Sequence, residues 1–120
     1  MAKFLVHVHT GPDNPSKAAL GFLVAMTALK EGHSVDLFLA GDGASLIGDA
    51  ALSSVEGKGT GNLGAHYKAL ADGGARFYVS GMSAKARGLS EADLAGKPAE
   101  FAMPDVLVRL ATGADVVLTY

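Results

Sequence analysis

Short apolar runs alternate along this chain with helix-length segments that carry their own start and stop signals. The runs are Lys3–His9, His33–Ala40, Ala75–Val79, Ala99–Met103 and Ala114–Tyr120. Their apolar character is nearly continuous rather than alternating. A strand of that kind is covered on both faces, as in a parallel sheet. Parallel neighbours need long crossovers, and helices fill the intervals here. The pattern predicts an α/β fold with three α/β/α layers and a mostly parallel sheet of about five strands. The 120 residues match the size of one domain, so 1–120 is read as a single unit.

The helix signals are explicit. Asn14 is placed as an N-cap with Pro15 at the first helical position, and the helix reaches Glu31 before Gly32 ends it. Gly41-Asp42-Gly43 reads as a turn, and Ala44–Leu52 as a short helix. Val55–Asn62 contains three glycines and reads as a flexible loop. Leu63–Asp72 is a helix stopped by Gly73-Gly74. Ser80-Gly81 exits a strand into a short helix, Met82–Arg87, closed by Gly88. Ser90–Leu94 is a serine-capped turn, and Pro104–Thr112 is the last helix.

Charge and composition exclude several roles. The net charge is −2, so no basic surplus exists to neutralise phosphates, and nucleic acid is not expected as a partner. There are no cysteines, which removes disulfides, thiolate metal sites and cysteine nucleophiles. No signal peptide is visible, and the apolar stretch between Lys17 and Lys30 is too short to span a membrane. A cytoplasmic protein is expected. Only 18% of residues are charged and the mean hydropathy is +0.28, high for so small a surface-rich domain. That excess implies a homo-oligomer. The first helix supports this, with one stripe of Ala19, Phe22, Met26 and Leu29 and a second of Leu20, Leu23, Val24 and Ala28. One stripe covers the sheet, and the other is expected to meet a neighbouring subunit.

Ligands of open parallel sheets bind beyond the carboxyl ends of the strands, here the loops at Thr10, Gly41 and Ser80. Ser80, Gly81, Met82, Ser83 and Arg87 combine small polar residues, a helix start and a cation, a pattern suited to a small anion. Helix capping by Ser80 and Ser83 is the plainer reading. Nucleophilic use of Ser80 would need a base, and His7 or His9 is the candidate. His7 and His9 point to one face of their strand. With His66 or Asp42 they are candidate metal ligands, although no third ligand with a proper spacing is evident. Asp42 is otherwise a polar cleft or turn residue. Gly57-Lys58-Gly59-Thr60-Gly61 lacks the order of a phosphate-binding loop, and no cofactor is implied.

The stretch Ser80-Gly81-Met82-Ser83-Ala84-Lys85-Ala86-Arg87-Gly88-Leu89 resembles the DsrE/DsrF-like family of sulfur-relay proteins, which have the YchN-like fold. Gly11–Ala18, Gly32–Val35, Phe38–Gly43 and Ala114–Thr119 extend the resemblance over essentially the whole chain. It implies a compact α/β domain assembled as trimers or hexamers. Active members carry sulfur as a persulfide on a loop cysteine, and Ser80 stands at that cysteine's place. Ser83 falls where some relatives have a second cysteine. A hydroxyl forms no persulfide, so the relay chemistry is not expected of this chain by itself. The resemblance thus implies a non-catalytic oligomeric protein that binds a small anion or metabolite, or partners a cysteine-bearing relative. The alternative is an enzyme with new chemistry, using Ser80 and a strand-end histidine, or a histidine-bound metal.

Overall fold

A computed structural model describes residues 1–120. Five strands form the main sheet: β1 (Lys3–Val8), β2 (Ser34–Leu39), β5 (Arg76–Ser80), β6 (Ala99–Ala102) and β7 (Val116–Thr119). Their order is β6-β5-β2-β1-β7, and every pairing is parallel. The expectation of a mostly parallel sheet is met by one that is wholly so.

Helices α1 (Pro15–Lys30) and α3 (Leu63–Asp72) cover one face. Asn14 caps α1 by accepting a hydrogen bond from the Lys17 amide, and Pro15 opens the helix, as its sequence signals require. Val6, Val8, Leu37, Leu39, Phe77 and Val79 point to this face and join Phe22 and Leu70 in a core of 21 buried residues. The Phe22 and Tyr67 rings lie 5.8 and 5.2 Å from that of Phe77.

Helix α5 (Pro104–Gly113) alone covers the opposite face. Only Leu5, Phe38 and Ala102 are buried there, against half-buried Val106, Leu107 and Leu110. No residue of α5 is fully buried. Strand alternation assigns each side chain to its layer, since successive residues face opposite ways.

Two elements differ from the sequence reading. The predicted helix Ala44–Leu52 is instead a 3₁₀ helix, Gly41–Ile47, followed by α2 (Asp49–Ser54). Gly48 between them is extended, at φ −70° and ψ 148°. The predicted flexible loop holds a small antiparallel hairpin, β3 (Glu56–Gly57) and β4 (Gly61–Asn62). Gly59 and Gly61 take positive φ at its turn. The hairpin is tied to the start of α1: the Lys58 amide donates to Ser16 Oγ, and Thr60 Oγ1 donates to the Ser16 carbonyl. The central segment therefore covers part of α1. Leu20, Leu23 and Val24 of the second stripe remain half-buried, while Ala28 is buried.

Candidate functional site

The carboxyl ends of β2 and β5 bring most of the predicted site together. Ser80 is the last residue of β5 and only 7% exposed. Its Oγ accepts a hydrogen bond from the Ser83 amide and so caps α4 (Gly81–Ala86). Ser83 Oγ in turn accepts from the Gly41 amide at 2.9 Å. This bond serves a backbone N–H at the turn after β2, where Gly41 has φ +55°. Arg87 closes the cluster. Its NH1 donates to the Ser83 carbonyl at 3.0 Å, and its NH2 meets the Asp42 carboxylate at 2.7 Å. Close backbone packing holds the same corner. A Cβ on Gly43 would come within 2.3 Å of the Val8 carbonyl oxygen, and one on Gly11 within 2.8 Å of Asp42. Gly81 and the exposed Met82 open α4 beside Met103.

His9 adjoins this cluster, since a Cβ on Gly43 would lie 3.1 Å from the His9 Cα, whereas His7 is set further back along its strand. His7 is in β1, with Phe38 of β2 and Thr119 of β7 as its register partners. β2 separates β1 from β5. Two strand spacings, about 10 Å, therefore separate the histidine strand from Ser80. No hydrogen bond joins either histidine to Ser80, whose hydroxyl is engaged with the Ser83 amide. The serine–histidine pair considered from sequence is not hydrogen-bonded here, with β2 lying between the two strands.

The metal set with His66 or Asp42 is not assembled either. His66 Nε2 lies 2.7 Å from the Thr60 carbonyl in the hairpin region, and Asp42 is taken by Arg87. No group of three or more His, Cys, Asp or Glu side chains is close enough to hold a metal ion. His7 and His9 do stay together, with ring centroids 5.3 Å apart. Burial, reinforced by the neighbouring His9, holds the His7 imidazole below its ordinary pKa. Its Nε2 is buried without a partner.

Two surface depressions exist, of about 430 and about 380 Å³. Pro12, Ser45, Gly48, Asp49, Leu89 and Asp93 line parts of the first, and Phe4, Leu23, Val24 and Glu31 parts of the second. Neither is lined by any of the predicted site residues.

One polar residue of this end escaped sequence reading. The Lys97 side chain is 9% exposed, and its ammonium donates to the carbonyls of Ile47 and Asp93 and pairs with Asp49. It bolts the loop before β6 to the 3₁₀ helix and α2. Nothing in its local sequence, Gly96-Lys97-Pro98, distinguishes it from a surface lysine.

No helix is long and apolar enough to cross a membrane. A comparison with curated protein sequences found no match. The fold is similar to that in the crystal structure of the YchN protein from E. coli, at a TM-score of 0.81 and 18% identity over all of both chains. The sequence profile of the DsrE/DsrF-like family matches residues 2–120. By that match across the strands, the serine-capped corner and the final strand, the chain belongs to the DsrE/DsrF-like family.

Proposed function

We propose that this chain is a non-catalytic, homo-oligomeric member of a sulfur-relay-type family, acting as a partner subunit rather than a sulfur carrier. The observation that carries the reading is the state of Ser80. Its hydroxyl caps a helix, no histidine is hydrogen-bonded to it, and no cysteine exists to take its place. The neighbouring polar groups are committed as well. Ser83 serves Gly41, and both terminal nitrogens of Arg87 have partners. This internal pairing supports a structural corner more than a receptor for a free anion or metabolite.

The oligomer is supported by the thin cover of the α5 face. Parallel sheets are ordinarily buried on both faces. Here Met103 and Val108 on and beside α5, and Val117 on β7, remain 49, 64 and 46% exposed. Subunits of this chain, or a cysteine-bearing relative, meet through this face in a trimer or hexamer. Native mass spectrometry and light scattering test the assembly. A trimer or hexamer that Val108→Glu dissociates is the expected result. A monomer at micromolar concentration, with no association to a cysteine-bearing relative, overturns the reading.

A further inference from the structure

Strand β1 pairs on both sides at its carboxyl end. The His7 carbonyl accepts from the Tyr120 amide at 2.9 Å, and the His9 amide donates to the Tyr120 carbonyl at 2.9 Å. On the other side, the Ala40 amide donates to the Val8 carbonyl at 3.0 Å. The backbone carrying both histidines is therefore held from two directions, although His9 lies just past the end of the strand. Residues two apart on extended chain project to one face. The ring centroids are 5.3 Å apart with the planes inclined at 71°.

That spacing has chemical content. A tetrahedral ion bound by two imidazole nitrogens at about 2.0–2.1 Å sets their ring centroids about 5 Å apart. The residues beside His7 in register are Phe38 and Thr119, neither of them charged, so no cation opposes an incoming ion there. His7 Nε2 has no protein partner. His9 is exposed, so an ion approaches the pair from the His9 side.

We propose that His7 and His9 form a two-histidine chelate for a late first-row divalent cation, Zn²⁺, Ni²⁺ or Cu²⁺. Imidazole nitrogens select this class over Mg²⁺ and Ca²⁺, which take oxygen ligands. Two protein ligands leave at least two positions of a four-coordinate ion for water or an incoming ligand. The site is independent of Ser80 and lies on the α5 side of the sheet with Leu5, the thinly covered face. It requires no part of the partner-subunit reading.

The test uses the untagged full chain, freed of metal, in titrations with Zn²⁺, Ni²⁺ and Cu²⁺ followed by calorimetry. Saturable uptake of one ion per chain is expected, with Cu²⁺ bound most tightly. Mg²⁺ should give no signal. His9→Ala, at an exposed position, should weaken uptake at least tenfold without loss of fold by circular dichroism. His66→Gln should leave it unchanged. The electron paramagnetic resonance spectrum of the Cu²⁺ form should show two equatorial nitrogens, reduced to one in His9→Ala. Absence of saturable uptake overturns the proposal, and so does uptake that survives His9→Ala or is lost in His66→Gln.

Discussion

The Arg87 guanidinium reaches the Asp42 carboxylate at 2.7 Å, across 45 positions of sequence. The contact links the helix after β5 to the turn after β2, and the same arginine holds the Ser83 carbonyl. The Asp42 side chain is 64% exposed and that of Arg87 32%. Solvent therefore screens the pair, and its coupling should be about 0.5–1 kcal/mol. A double-mutant cycle of Asp42→Ala and Arg87→Ala in urea measures it. Arg87→Ala alone should cost more than Asp42→Ala, since it also strips the Ser83 carbonyl of its donor.

Ser80→Ala removes the cap of α4 and should cost about 1 kcal/mol in chemical denaturation. Ser83→Ala leaves the Gly41 amide without its acceptor and should cost about 1–3 kcal/mol. Ser80→Cys tests the family resemblance directly. Its thiolate can attack the outer sulfur of a low-molecular-weight persulfide, with the donor thiolate leaving. Intact-mass spectrometry should then find one added sulfur atom on the variant and none on the parent chain.

Gly43→Ala should destabilise the fold by about 1–3 kcal/mol, because its Cβ would sit 2.3 Å from backbone oxygen that cannot swing aside. Gly113→Ala is the contrasting case. No atom lies within 4 Å of its added Cβ and its φ is not positive, so a gain of about 0.4–1 kcal/mol is expected. Urea midpoints of the two variants should move in opposite directions.

Stability should fall on mild acidification in metal-free buffer. The folded His7 imidazole has a pKa below the ordinary 6.5, from burial first and His9 second. Its neutral form is favoured by folding, so the unfolded chain binds the extra proton. The His7 contribution is complete above about pH 6.5 and is lost as pH falls from there toward the folded value. Asp36 acts oppositely and at lower pH. Burial raises its pKa above 3.8 against the pull of Lys3 and Arg76, so it favours the folded state as its carboxylate protonates. Unfolding followed from pH 8 to pH 5, taken as roughly the histidine window, should show a slope that His7→Asn abolishes.

Lys97→Ala should cost about 1–3 kcal/mol, because the carbonyls of Ile47 and Asp93 lose their donor. Asp49→Ala should cost far less, as that carboxylate is 92% exposed. Thermal unfolding of both variants separates the buried carbonyl contacts from the surface ion pair.

Short-range signals along the chain specify the elements and the class of the sheet. Near-continuous apolar runs can be buried only on both faces, and caps such as Asn14 and stops such as Gly32 act within a few residues of themselves. Those are local effects, so they were legible along the chain. The split at Gly48 and the hairpin at Glu56–Asn62 were not legible, because distant partners hold them: Lys97 grips Ile47 and Asp49 on either side of Gly48, and Ser16 ties down the hairpin. The same holds for the site. Ser80 as a helix cap could be read from its neighbours, whereas its isolation from His7 could not. Strand order placed β2 between them, and no periodicity within a strand encodes which strand lies beside it. The Arg87–Asp42 pair, the burial of Lys97 and the shared backbone support of His7 and His9 by Tyr120 likewise arise only when distant segments meet. Local structure follows from short-range sterics and hydrogen bonds, while partners distant in sequence are chosen by the closure of one common core.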